Sequence, residues 1–414
     1  MTEYVKTFDS VVIGAGAAGL MAALTAAERG IKTAVIDGNR DSGRKLRITG
    51  KGRCNLTNSC EIKQLMENIP GNPKFLYGAM NRFPPAEVMA FFESKGLTLK
   101  VERGNRVFPV SDRADDVADL LHRLCVSGGV EFIRARADRI DTDENGVSSV
   151  HTNIGSIACR SAVLATGGMS YPLTGSDGSG YKVATHLGHT LVPPRASLVP
   201  LESPAEYCTA MQGFSLKNVA LRAYEDDKLI YTELGEMLFT HFGVSGPLVL
   251  SASAHMRHFG EKSYRLEIDL KTGLDTEKLD AKVLREFAEN PNRSLRNTLP
   301  VLIGRSLAPV ILELSGADGD TPVNSVKRED RLELVRIMKA FPVPVSGTRP
   351  IDEAIVTAGG ISVKEVNPRT MESKFVPGLF FAGEILDVDA YTGGFNLQIA
   401  WATGRLAGNS IPEY

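Results

Sequence analysis

The residues best suited to chemistry by type and spacing lie at the start of the chain. Gly14-Ala15-Gly16-Ala17-Ala18-Gly19 joins an apolar run, Ser10 to Ile13, to an alanine-rich stretch that ends at Arg29 and Gly30. Glycines at these positions of a strand-to-helix turn suit one task. Gly14 permits the turn, Gly16 lets backbone approach a pyrophosphate, and Gly19 lets helix and strand pack closely; the helix N-terminus adds free N–H groups and positive potential. Asp37 closes the next apolar run, Lys32 to Ile36, 23 positions after Gly14. At that spacing a carboxylate accepts from a ribose hydroxyl. The pattern reads as the βαβ opening of a dinucleotide-binding fold, against the plainer reading of a tight turn followed by an exposed aspartate.

Three further groups carry possible chemistry. Residues 43 to 58 place Arg44, Lys45, Arg47, Lys51 and Arg53 among glycines 43, 50 and 52. This is either a solvated surface run or a cradle for phosphate and flavin, and its polarity reads as a loop. The C-terminal run from Gly383-Glu384 through Asp387 to Gly393-Gly394-Phe395 sets a helix N-terminus at a glycine pair, where N–H donors can face a flavin edge. There is no second GxGxxG. A single tightly held dinucleotide is therefore expected, and the C-terminal turn selects FAD over NAD. His241, in Leu238 to Pro247, and Tyr391 are candidate proton donors; a junction histidine and a packed loop tyrosine are the bland readings. Cys54 has only Cys60 nearby and no CxxC spacing, so a packed or flavin-adjacent thiol is expected rather than a disulfide relay.

The elements that must position these groups begin with that βαβ unit. Pro84 to Lys95 and Asp112 to Ser127 read as helices closed by glycine, Val130 to Ala135 and Val147 to Ala165 as strands of a meander leading into Thr166-Gly167-Gly168. Val219 to Tyr224 and Leu229 to Leu234 read as a hairpin, with Tyr264 to Leu270 a further strand. Glu277 to Glu289, Ser306 to Leu314 and Val326 to Lys339 have helical period. Strand-turn signals return at Ala354 to Thr357 before Ala358-Gly359-Gly360, and at Gly378 to Phe381 before Gly383. The expected organisation is a discontinuous α/β nucleotide-binding domain, 1–195 plus 350–414, interrupted by an antiparallel β domain, 196–275 plus 340–349, and a helical insertion, 276–339.

Composition narrows the function class. The 414 residues carry 47 Lys+Arg and 49 Asp+Glu, a net charge of −2, which argues against a nucleic-acid partner. No apolar stretch reaches the roughly 18 residues of a membrane span, and five cysteines without a framework suit a reducing, cytoplasmic setting. No metal site is expected.

Residues Gly43 to Asn58, Ala165 to Gly168, Leu238 to Pro247 and Gly378 to Gln398 together resemble the bacterial YhiN/BaiN-like family of NAD(P)/FAD-dependent oxidoreductases. The resemblance implies a glutathione-reductase-2-like Rossmann FAD domain with inserted β-barrel-like and helical domains, tightly bound FAD, and a small-molecule substrate. One branch is associated with reduction of steroid-like enones, and other members carry an aminoacetone oxidase label. It implies cofactor contacts from Gly14, Ala15, Gly16, Ala17, Ala18, Gly19 and Asp37; from Lys45, Thr49, Gly50, Gly52, Arg53, Cys54 and Asn55; from Ala137, Ala165, Thr166 and Gly167; and from Gly383, Glu384, Gly393, Gly394, Phe395, Asn396 and Gln398. Asp37 stands where the family usually has Glu, and Phe395 where it commonly has Tyr. The expected activity passes hydride from NAD(P)H, a transient reductant, through flavin N5 to an enone-like acceptor. The alternatives are an amine or hydroxyl oxidase using dioxygen, and a non-catalytic FAD-binding protein.

Overall fold

The computed structural model describes residues 4–413. They form two compact units: residues up to Ser197 together with those from Pro350, and the intervening Leu198–Arg349.

The first unit is built on a five-stranded parallel sheet ordered Leu379–Phe381, Ser161–Leu164, Ser10–Ile13, Thr33–Asp37, Glu131–Arg134. Ser10–Ile13 is buried at every position, as a central parallel strand covered on both faces must be. Ser161–Leu164 lies between Ser10–Ile13 and Leu379–Phe381, in register Val163 to Val12 and Val163 to Phe380. The long excursion between residues 164 and 379 therefore returns to a neighbouring strand. A four-stranded sheet runs Tyr4–Thr7, Gly155–Ala158, Gly146–Thr152, Ala137–Asp143. The segment Val130 to Ala135, expected in a meander, instead supplies the parallel edge strand Glu131–Arg134. It follows the helix Ala114–Ser127, and a helical crossover is what a parallel pairing requires.

The first helix, Ala17–Glu28, is buried from Ala18 through Ala26, a helix apolar all round and therefore covered on every side. Its cover includes the last helix, Phe395–Ser410. A Cβ on Gly404 would lie 2.3 Å from the Ala18 carbonyl oxygen, and one on Gly408 would lie 2.5 Å from that of Ala22. The two backbones thus touch where no side chain fits. Trp401 is fully buried on the same helix and donates its indole N–H to the Leu56 carbonyl at 2.9 Å.

The second unit holds a seven-stranded antiparallel sheet ordered Phe341–Val345, Tyr264–Asp269, Ser215–Glu225, Lys228–Thr240, Gly243–Ser245, Leu201–Glu202, Gly347–Thr348. Its two edge strands are separated in sequence by Ser346 alone, so the sheet must curl until its edges meet. The helices Thr276–Glu289, Leu295–Ile303, Ala308–Ser315 and Arg328–Lys339 belong to this unit. Asp280 and Arg331 pair at 2.7 Å across two of them. Leu295–Ile303 carries Pro300 inside it, the residue that hides a helix from sequence reading.

One further correction concerns Ala358-Gly359-Gly360, expected as a turn. Both glycines lie inside the strand Val356–Ile361, which pairs with Leu191–Ser197. A Cβ on Gly359 would meet the Pro193 carbonyl oxygen at 2.4 Å, and one on Gly360 that of Ile385 at 2.6 Å. Glycine serves close approach there, at positive φ of 83° and 128°.

Gly404→Val is expected to lower stability by about 1–3 kcal/mol, the usual cost of overpacking, read as a lower urea midpoint at unchanged slope. An unchanged midpoint would mean that the two helices do not depend on backbone contact.

Candidate functional site

The glycine turn divides its three glycines by cause. Gly14 has φ +107°, and a Cβ there would lie 2.5 Å from the Ala165 carbonyl oxygen; a Cβ on Gly19 would fall 1.9 Å from that of Gly14. Packing of the chain explains both. Gly16 has φ −80°, open to any residue, and a Cβ there would meet no heavy atom within 4 Å. Nothing in the protein itself requires glycine at 16. The helix it opens has no side-chain cap and no acidic residue in its first turn, so its first N–H groups remain available to an anion. Such a glycine beside uncapped donors fits a pyrophosphate. Ala15, Ala18, Gly19 and Ala165 are buried behind the turn, while Gly14, Gly16 and Ala17 retain exposure.

Asp37 ends its strand and braces this turn. One carboxylate oxygen accepts from the Ala15 N–H and the other from the Asn39 N–H, each at 2.7 Å. Both oxygens keep acceptor capacity for a hydroxyl.

The segment expected as a loop begins as a helix. Helical hydrogen bonding runs over Arg44–Gly52, but the helical backbone breaks at Thr49; Gly50, Lys51 and Gly52 then take left-handed φ of 57°, 59° and 81°, and Cys54 one of 60°. Thr49 donates to the Leu46 carbonyl at 2.6 Å. Arg53, expected at the cofactor, is instead held by Asp112 and Glu102 and stacks 4.2 Å from the Phe108 ring centre. Hydrogen bonds to Glu102 and then Asp112 push its guanidinium further into the charged form, and Arg53 holds the Glu102 carboxyl below its ordinary range. Cys54 is fully buried, and burial pushes its thiol up to about 12.

The C-terminal turn is built by residues expected to touch cofactor. The Asn55 amide donates to the Thr57 carbonyl at 3.1 Å and accepts from the Gly394 N–H at 3.0 Å. Asn396 clamps Ala390 from both sides, at 3.0 Å to its N–H and 2.7 Å to its carbonyl. Gln398 is fully buried between Thr57 and the Phe83 carbonyl. Phe395 is buried beneath Gly393, whose Cβ would lie 2.9 Å from its ring. These side chains shape the glycine pair, which itself remains half-exposed.

Lys45 and Glu384 come together across the chain. The ammonium donates to Glu384 at 2.6 Å and to Ser170 Oγ at 2.7 Å. Ser170 donates to the other Glu384 oxygen at 3.0 Å, and that oxygen also takes the Thr357 N–H at 2.8 Å. The Thr357 hydroxyl in turn accepts the N–H groups of Met169 and Ser170. Sequence reading missed Ser170 and Thr357; their positions shortly after Gly167-Gly168 and directly before Ala358-Gly359-Gly360 were the available signal. Gly167 has φ +75°, Gly383 is buried against Ala18, and Thr166 packs its hydroxyl on Gly180. Ala137 opens the strand Ala137–Asp143 and is half-buried.

The two proton-donor candidates lie in different units. Tyr391 is half-buried, its backbone N–H donating to the Asn68 carbonyl at 3.0 Å. His241 is exposed between the strands Lys228–Thr240 and Gly243–Ser245, edge-on to Phe242 with ring centres 4.9 Å apart.

Comparison with known proteins adds three findings. The model of the family described as HI0933-like protein Rossmann domain matches residues 8–410. The chain is 32% identical over 404 residues to a ribosomal RNA dihydrouridine synthase of Escherichia coli (strain K12), covering 96% of each chain. It is 30% identical over 407 residues to a 3-dehydro-bile acid delta(4,6)-reductase of Clostridium scindens, covering 97% of this chain and 98% of that one. Among solved structures, a 3-ketosteroid-delta4-(5alpha)-dehydrogenase from Rhodococcus jostii RHA1 matches with TM-score 0.55 at 16% identity, covering 99% of this chain and 98% of that one. That likeness is one of fold. The chain belongs to the HI0933-like Rossmann family and is an FAD-dependent oxidoreductase.

Proposed function

We propose that this enzyme reduces a carbon–carbon double bond conjugated to a carbonyl, with NAD(P)H as a transient reductant and FAD tightly bound. The observation that carries the cofactor assignment is Gly16, whose missing side chain serves no packing purpose. The acceptor class draws on the two relatives. A delta(4,6) bile acid and a uracil ring both present a C=C in conjugation with a carbonyl, so one reaction covers both names.

Bound FAD supplies hydride acceptance and donation at its N5 position. The N–H groups of Gly16 and Ala17 would hold its pyrophosphate, and Asp37 would accept from a ribose hydroxyl. Lys45 and Glu384 would face it as a neutralised pair. Reduction adds a hydride at the carbon β to the carbonyl and a proton at the α carbon. The proton falls to the chain, from the Tyr391 phenol or the His241 imidazole.

For the acceptor we favour a small enone, in keeping with a net charge of −2. The relatives named ribosomal RNA dihydrouridine synthase, at 32% and 31% identity, support a second reading, a uridine within RNA. Five free cysteines suit a reducing compartment, where we place the enzyme. Among the described residues no helix is long and apolar enough to cross a membrane.

Gly16→Val is expected to fold with the denaturation midpoint of the wild-type apoprotein yet purify with little FAD, read at the flavin absorption band; full occupancy would sink the dinucleotide assignment. Anaerobic mixing of the holoenzyme with NADH or NADPH should bleach the flavin, and a 4,6-dien-3-one steroid should restore its colour. Recovery by uridine-containing RNA alone would select the second reading, and bleaching by an amine rather than a nicotinamide would mean an oxidase. His241→Ala or Tyr391→Phe should slow recovery by about 10²-fold in whichever variant lacks the donor, with bleaching intact; two unaffected variants would place the donor elsewhere. Cys54→Ser should leave bleaching within a few-fold, because a buried thiol held protonated to about pH 12 supplies no thiolate at neutral pH. A loss of orders of magnitude with FAD retained would point to a thiol relay.

A further inference from the structure

A reductant needs a seat of its own, and the chain has no second glycine-rich nucleotide turn. In the first unit, a groove of about 800 Å³ lies between the helices Ile62–Glu67 and Pro73–Arg82. That volume is in the range of sites that take a small ligand, about 300–1,000 Å³. Ile62, Met66 and Pro73 give it an apolar floor. Tyr77 stands on its wall with 58% of its surface exposed, an unusual state for a large aromatic ring. Lys63 and Lys74 rim it, both exposed, and neither has an ion-pair partner among the described residues.

An open aromatic face beside two unpaired ammonium groups matches a ligand that joins a planar base to phosphate. Glu67 also borders the groove. A carboxylate there repels a continuous phosphate backbone but suits the hydroxyls of a single ribose, which favours one nucleotide over an RNA strand.

The groove is tied to the C-terminal turn. The chain between its two helices meets the segment 387–391 at three points: the Tyr391 N–H donates to the Asn68 carbonyl at 3.0 Å, the Gly71 N–H to the Asp389 carbonyl at 3.3 Å, and the Asn72 amide to the Asp387 carbonyl at 2.6 Å. That segment runs directly into Gly393-Gly394. The loop that joins the two helices of the groove is thus hydrogen-bonded to the segment that leads into that turn.

We propose that this groove seats the adenosine phosphate end of the nicotinamide reductant, its base stacked on Tyr77 and its phosphates met by Lys63 and Lys74. The inference rests on the reading that NAD(P)H reduces the enzyme. It is tested by calorimetric titration of the holoenzyme with adenosine 2′,5′-bisphosphate, beside rapid mixing with NADPH. Tyr77→Ala, and separately Lys63→Ala with Lys74→Ala, should weaken bisphosphate binding and raise the NADPH concentration for half-maximal bleaching rate by tenfold or more. Tyr77→Phe, which keeps the ring, should bind like the wild type. Bisphosphate that fails to bind, or binds the variants equally, overturns the groove as the seat. So does loss of oligouridylate binding in the variants with bisphosphate binding unchanged. A wild-type holoenzyme bleached by neither NADPH nor NADH overturns the reductant assignment itself, a result distinct from the other two.

Discussion

The contact between the first and last helices is the constraint on which the rest of the first unit depends. Ala18 faces Gly404 and Ala22 faces Gly408, so the register advances in the same sense on both helices and they run parallel. Their N-termini consequently point to one end of the unit, the end at which the parallel strands finish. Gly16 lies two residues before its contact point and Gly394 ten before its own. At about 1.5 Å per residue, the Gly393-Gly394 turn stands roughly 12 Å beyond the Gly16 turn along the helix direction. Two sets of free N–H groups at one end, offset by that length, suit a ligand that is long and anionic at one place only. Gly404 and Gly408 thus set the offset between the two helix N-termini from the far side of the contact.

The same contact makes the discontinuity of the chain tolerable. Strand Ser161–Leu164 bonds both to Ser10–Ile13 and to Leu379–Phe381, so the sheet is completed only after the second unit has been made. Lys45, Ser170, Thr357 and Glu384 then bind together four segments spread over most of the first unit's sequence. Glu384 receives the ammonium on one oxygen and a hydroxyl and an N–H on the other. A carboxylate so fully engaged is fixed in direction.

Much of this was legible in the sequence because backbone geometry leaves marks there. Gly14, Gly19, Gly393 and Gly394 stand where the chain's own packing leaves no room for a side chain, Gly16 stands where only a bound group would need that room, and the apolar runs before the first turn and before Gly383 identify the strands. What stayed hidden was the destination of the side chains. Asn55, Asn396 and Gln398 have the right types to bind a cofactor, yet their amides are spent on Gly394, Ala390, Thr57 and Phe83. Local sequence cannot tell a donor that faces a ligand from one that holds the loop facing it. Gly359 and Gly360 show the converse: a glycine pair signals either a turn or a strand pressed against another backbone, and only the tertiary partner, here Pro193 and Ile385, decides.

The cationic segment 44–53 carries that distinction furthest. Lys51 and Cys54 occupy left-handed backbone without being glycine, a conformation costing of order 1–3 kcal/mol each that persists only where the surroundings impose it. The surroundings can be named. Cys54 N–H bonds back to the Thr49 carbonyl at 2.9 Å, and the Cys54 side chain is fully buried, which fixes the turn from inside. Arg53, between the two strained residues, is gripped by Glu102 and Asp112 and lies flat on Phe108, the ring that also lies 3.4 Å from where a Cβ on Gly50 would be. The arginine that looked like a phosphate ligand is thus the clamp of a strained turn. Of the five cations in this segment, Lys45 alone reaches Glu384, while Arg47, like Arg53, is taken up by carboxylates of its own surroundings, those of Asp115 and Asp119.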